Sequence, residues 1–171
     1  MRTKISERFV TYKTAKMLKE AGFDEKCKSF YDKNKKQKYW EEGSVLSNSE
    51  MEEFQNMNSI SAPTQSFANA WLRKKNCHVL VIPKPYHKWY VGLIILGRPN
   101  KFDGNLGACF FEDKEFDSYE KAMEYGLQVQ LKIIIKAEKL VRKYDTSQIS
   151  HIKEELEKKG FDFGDNINEK S

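Results

Sequence analysis

At 171 residues, 39% of them hydrophobic and 13% aromatic, the chain is too rich in core-forming side chains to be disordered and has the length of one ordinary domain. The net charge of +5 singles out no class of protein by itself. Cys27, Cys77 and Cys109 are an odd and widely spaced set without a CxxC pair, which excludes a disulfide framework and points to the reducing cytosol.

Residues 10–23 carry a complete short helix. Thr11 stands at the N-cap and Val10 staples back onto the first turn. Gly22 takes the left-handed position beyond the end, with Phe23 packing behind it. Residues 28–31 and 37–40 predict two short strands joined by a lysine-rich tip, Asp32-Lys33-Asn34-Lys35-Lys36. The polar stretch 41–61 holds one short amphipathic helix, with Ser47 and Glu50 at capping-box spacing and Met51, Phe54 and Met57 along one side. A further helix opens at 61–64 with Pro63 in its first turn, runs to Lys75 and stops at Asn76. Phe67, Ala70 and Trp71 line its apolar side.

Two strands follow at 77–82 and 89–96, separated by a turn at 83–87. Both alternating faces of each strand are apolar, whereas a sheet with one wet face shows a polar residue at every second position. Both faces are therefore expected to be covered, by helices or by a partner subunit. A turn at 97–104 leads to a third strand at 107–111. The strongest element is a helix at 118–144, begun by Asp117 with Glu120. Its stripe of Met123, Leu127, Leu131, Ile134 and Val141 is broadened by Val129, Ile133 and Leu140, the width of a helix that lies across a sheet. A last helix at 147–159 carries Ile149, Ile152 and Leu156.

These elements predict an α+β fold. A small antiparallel sheet of about three to five strands is packed by two main helices, 63–75 and 118–144, with the N-terminal helix at its edge. The expected division is a single domain over 1–144 and a C-terminal helical extension and tail over 145–171. The longest apolar run, 91–96, is far short of a membrane span, and no apolar stretch follows the charged first residues. Neither a membrane anchor nor a secretory signal is expected.

Signals of chemistry are sparse. Cys77 and His78 are adjacent on a strand and so point to opposite faces, which keeps them from sharing a metal ion or forming a nucleophile–base couple. Neither phosphate-cradling loop, GxxxxGK[ST] or GxGxxG, occurs. The acidic pairs Glu41-Glu42, Glu52-Glu53, Glu112-Asp113 and Glu154-Glu155 suit a solvated surface. No catalytic, cofactor-binding or metal-ligating residue is assigned, and an enzyme is not the expected outcome.

Charge carries more information. Segment 54–102 has no acidic residue and seven basic ones: Arg73, Lys74, Lys75, Lys84, Lys88, Arg98 and Lys101. The rest of the chain holds 23 basic residues against 25 acidic, a balance of −2. Together with the hairpin tip this marks Lys33, Lys35, Lys36, Arg73, Lys74, Lys75, Lys84, Lys88 and Trp89 as candidates for an anionic partner such as a nucleic acid. Lysine and arginine neutralise phosphates and an aromatic face stacks a base. The same lysines also serve as ordinary solubilising and edge-guarding residues.

Residues 11–24 (TYKTAKMLKEAGFD), 61–74 (SAPTQSFANAWLRK) and 119–131 (YEKAMEYGLQVQL) resemble a family of small uncharacterised proteins carried by gut bacteria and their tailed phages. The resemblance spans three blocks within residues 9–135. Gln130 departs from it, standing where a small apolar residue is expected, and residues after 137 have no counterpart. It implies a phage or prophage setting and contributes no catalytic residue.

Three readings of function stand at this point. The first is a non-enzymatic accessory protein of a phage or mobile element that binds a protein partner, with the homo-oligomer left as an open option. The second is a nucleic-acid binder using the basic and aromatic residues. The third is a small ligand-sequestering protein or enzyme. All three place the chain in the cytoplasm, that of the host cell if phage-encoded, without cofactor and away from the membrane.

Overall fold

The computed structural model describes residues 8–41, 44–55, 58–96 and 107–143. The turn expected at 97–104, with Arg98 and Lys101, and the helix expected at 147–159 lie outside the described residues, as does Tyr144. Among those residues the chain is α+β, with four α-helices and two antiparallel sheets of three strands each.

Helix α1, Tyr12–Glu20, begins and ends as its caps dictate. The Thr11 Oγ1 accepts from the Thr14 N–H, and Gly22 sits at φ +78. The Phe23 N–H donates to the Leu18 carbonyl and the Gly22 N–H to the Lys19 carbonyl, the paired bonds of a left-handed helix end. Strands β1, Ser29–Tyr31, and β2, Gln37–Tyr39, form the expected hairpin. Helix α2, Asn48–Gln55, starts at the Ser47–Glu50 box: the Ser47 N–H donates to the Glu50 carboxylate at 2.9 Å and the Glu50 N–H to the Ser47 Oγ at 3.3 Å.

The sheet is not one but two. Strand β3, Ile60–Ser61, pairs with β1 and closes a first sheet in the order β2-β1-β3. This strand lies in a stretch too polar and too short to show alternation. Its pairing is held instead by Asn48, whose Oδ1 accepts from the Ser61 N–H at 2.9 Å while its Nδ2 donates to the Phe23 carbonyl at 2.7 Å. Helix α3, Gln65–Lys74, starts two residues after Pro63. Thr64 is its N-cap, accepting from the Phe67 N–H at 3.2 Å, and the Pro63 carbonyl is used elsewhere, by the Val10 N–H at 3.0 Å. Asn76, at φ +59, stops it as expected.

The second sheet has the order β4-β5-β6, with β4 at Cys77–Lys84, β5 at Lys88–Leu96 and β6 at Gly107–Phe116. β6 outruns its apolar half and continues through four charged residues to Phe116, which pairs with Trp89. Helix α4, Tyr119–Lys143, is capped by Ser118, whose Oγ accepts from the Lys121 N–H at 3.2 Å. Asp117, expected in that role, instead bonds the Lys88 ammonium at 2.5 Å.

Helix α4 lies across β4 and β5 and makes the core with them. Ala122, Met123, Leu127 and Leu131 are buried against Val79, Val91 and Leu93. At Gly126 the approach is so close that an added Cβ would stand 2.3 Å from the Val79 Cγ1 and 3.0 Å from the Val91 Cγ1. One turn on, Gln130 is fully buried, and its amide Nε2 donates to the carbonyls of His78 at 3.2 Å and Ile94 at 3.3 Å. Its Oε1 has no partner among the described residues. Glu124 ties two other helices to α4. Its Oε1 accepts from the Thr11 N–H at 3.0 Å and from the hydroxyls of Thr11 at 2.7 Å and Thr14 at 2.5 Å. Its Oε2 accepts from the Gln65 amide at 3.0 Å. A carboxylate at the start of α1 also meets the positive end of that helix.

Replacing Gly126 by alanine sets a modest gain in helix propensity, about 1 kcal/mol, against overpacking on two stiff valines. The clash wins. Gly126→Ala is expected to lose about 2 kcal/mol in urea unfolding at unchanged m-value, and Val79→Ala in the same chain to cost less than it does alone.

Candidate functional site

The register of the second sheet divides its side chains between two faces. Cys77, Val79 and Val81 oppose Ile95, Leu93 and Val91, and this inner face carries the core under α4. His78, Leu80 and Ile82 oppose Ile94, Gly92 and Tyr90 on the outer face. There Leu80 and Ile82 are exposed, and Phe111 from β6 is laid over Gly92 with 65% of its surface open. An added Cβ on Gly92 would stand 3.2 Å from the Phe111 Cε1, so the missing side chain makes the seat for the ring. The expectation that both faces are covered is thus met on one face only among the described residues. Apolar alternation records that a face is suited to burial, and it does not say what buries it.

Two more features bound this surface. Phe110 is 52% exposed although it shares the inner side with the core, because β6 is the strand farthest from the cover of α4. At one end, the β4–β5 connection holds Tyr86 and His87 in the left-handed region, at φ +64 and +57, a conformation unusual for side chains of that size. Tyr86 stands 92% exposed. Beside it the Lys84 ammonium sits 3.9 Å from the Tyr90 ring centre, and Lys84, Pro85, Tyr86, Lys88 and Glu115 line an open hollow.

The cationic candidates are not gathered into one field. Lys33, Lys35 and Lys36 are exposed on the tip of the first hairpin, with Lys35 5.5 Å from the Tyr12 ring centre. Arg73, Lys74 and Lys75 end α3, where Lys74 pairs with Glu25 at 2.9 Å and Lys75 with Glu138 at 3.9 Å. Lys84 pairs with Glu115 at 2.7 Å and Lys88 with Asp117 at 2.5 Å. Asp117 precedes the first turn of α4 and Glu138 lies near its far end, so at 1.5 Å per residue Lys88 and Lys75 are roughly 30 Å apart. The four described lysines of the segment that lacks acids in sequence acquire them in space. Hydrogen bonds from Lys84 and Lys88, with their charge, hold the Glu115 and Asp117 carboxyls below the usual carboxylate range, so both stay ionised beside their partners. Trp89 turns to the inner face, half-buried, with its ring edge-on to Tyr119 at 5.6 Å.

The thiols at the core are not poised for chemistry. Burial pushes the Cys27 thiol up to about 12 and raises that of Cys77, so both stay protonated at neutral pH. Cys77 and His78 do take opposite faces. Among the described residues no group of three or more His, Cys, Asp or Glu side chains could hold a metal ion, and no helix is long and apolar enough to cross a membrane.

Leu80, Ile82, Phe110 and Phe111 stand outside the candidates marked by charge and aromatic pattern. The signal was present in Phe110-Phe111 itself: neighbours on a strand point to opposite sides, so one of two adjacent phenylalanines must leave the core that holds the other. Compared with family models, with curated proteins and with solved structures, the chain matches none.

Of the three cysteines only Cys109 is exposed. Alkylation of the native protein, followed by mass spectrometry, is expected to add one label at Cys109, and three after unfolding. Labelling of Cys27 in the native state at a comparable rate would contradict its burial.

Proposed function

We propose that this chain is a non-enzymatic accessory protein of a phage or mobile element that acts by binding a protein partner on the outer face of β4, β5 and β6. The observation that carries the reading is that face: Leu80, Ile82 and Phe111 are exposed on it beside the partly buried Ile94, and no helix or strand among the described residues lies over it. Scattered exposed apolar residues are ordinary, but a contiguous sheet face bounded by charges has the layout of a protein interface. The Lys84–Glu115 and Lys88–Asp117 pairs supply the polar rim at one end, and Phe111, Tyr90 and Tyr86 supply aromatic anchors. The phage setting rests on the three sequence blocks alone.

The geometry gives the nucleic-acid reading less support. Four of the five lysine and arginine side chains described between residues 73 and 88 have an acidic partner, and Trp89 packs inward. Salt slopes need lysines free to displace counterions from phosphate, and stacking needs an open ring face.

The test is a pull-down from host lysate run beside fluorescence anisotropy on single- and double-stranded oligonucleotides at two salt concentrations. A stoichiometric protein partner is expected. Leu80→Glu with Ile82→Glu should weaken its binding at least about thirtyfold while far-UV dichroism and the unfolding midpoint stay near wild type. Lys74→Glu with Lys75→Glu should leave it unchanged. Full retention by the Leu80/Ile82 variant, or oligonucleotide binding that is salt-sensitive and lost in the Lys74/Lys75 variant, overturns the reading.

A further inference from the structure

The two edges of the second sheet are finished differently. On β4, Val79 gives both backbone groups to the side chain of Asn69 in α3: its N–H donates to Oδ1 at 3.3 Å and its carbonyl accepts from Nδ2 at 3.2 Å. The amide takes the place of a neighbouring strand and plugs that edge. Antiparallel backbone groups alternate in direction, so Leu93, opposite Val79, turns its own groups toward β6 and meets Phe110. The backbone groups of Gly107, Cys109 and Phe111 therefore turn to the far side of β6. Among the described residues no strand pairs with that side and no backbone hydrogen bond reaches it.

The side chains repeat the message. Phe110 projects on the inner side of β6 and Phe111 on the outer side, and both are more than half exposed. A partner lying on either face reaches one of them. Only a strand added beside β6 covers both at once, and it satisfies the open backbone groups in the same step.

We propose that this strand is β6 of a second copy, paired antiparallel about a two-fold axis through Phe110, so that two three-stranded sheets become one of six strands. The charge pattern of β6 is compatible with a second copy and rules out registers centred on its charged half. β6 is uncharged from Gly107 to Phe111 and charged from Glu112 to Glu115. A two-fold axis normal to the sheet keeps inner residues opposite inner residues, so it passes through a residue and not between two. Centred on Glu112 it sets that carboxylate against its own copy, and centred on Phe111 it sets Phe110 against Glu112. Centred on Phe110 it sets Phe110 against Phe110, Cys109 against Phe111, Ala108 against Glu112 and Gly107 against Asp113. No like charges meet, the two Phe110 rings face each other on the inner side, and on the outer side each Phe111 lies against a Cys109. The ladder is seven residues long, shorter than a standard interface of about 800 Å² per partner requires, so the dimer is of modest affinity, with Kd on the order of 10 μM.

The experiment is sedimentation velocity on the full chain from about 1 to about 200 μM, a range that spans the expected Kd. Wild type is expected to pass from monomer to dimer. Phe110→Lys and Phe110→Glu, which set like charges face to face at the axis, should each weaken self-association about thirtyfold. An equimolar mixture of the two should dimerise again, because lysine then faces glutamate, a rescue that a misfolded variant does not give. Leu80→Glu with Ile82→Glu should leave self-association unchanged, which separates this edge from partner binding on the outer face. Wild type that stays monomeric throughout, or a mixture that does not recover, overturns the proposal.

Discussion

The tertiary structure turns on the contact of one glycine. At Gly126 the long helix comes down onto Val79 and Val91 at a separation that no residue with a Cβ tolerates without displacing a valine. Around that point Met123, Leu127 and Leu131 fall on the inner face of the sheet, and Gln130 reaches the carbonyls of His78 and Ile94. The glutamine makes sense only at this range. Its amide supplies second hydrogen bonds to two oxygens of the β4–β5 ladder, and its own Oε1 has no partner among the described residues.

A helix held so close to β4 and β5 has little reach left for β6. The cover is therefore uneven: the inner face is dry beneath α4, the outer face carries no helix among the described residues, and Phe110 and Phe111 stand out at the far edge. The other helices are committed elsewhere. Glu124 gathers the starts of α1 and α3 against α4, and Asn69 of α3 closes the β4 edge. Among the described residues, Leu80, Ile82, Phe110 and Phe111 are thus gathered on one sheet, while Tyr39, Tyr119 and Ile133 stand exposed elsewhere. That gathering distinguishes the four from the isolated exposed apolar groups found on any protein.

Charge follows the same division between local pattern and spatial outcome. The described lysines of the acid-free segment meet carboxylates far along the chain, as Lys84 meets Glu115 across 31 positions. Exposed pairs of this kind contribute little stability each, but each sets a carboxylate beside the ammonium it pairs with. Among the described residues, what the second sheet leaves open is apolar surface and the backbone groups on the far side of β6.

The helix caps were legible in the sequence because their partners lie within a few residues: Thr11 with Thr14, Ser47 with Glu50, and Gly22 at the end of α1. So were the first hairpin, the apolar character of β4 and β5, and the α+β class, all set by short-range periodicity and turn chemistry. The start of α4 slipped by one residue because Asp117 and Ser118 are both competent caps, and a lysine 29 positions away claimed the aspartate. The split into two sheets, the plugged and open edges, the neutralised lysines and the uncovered face depend on contacts between distant residues. One-dimensional pattern fixes which side chains avoid water; only the packed chain settles which of them are left facing it.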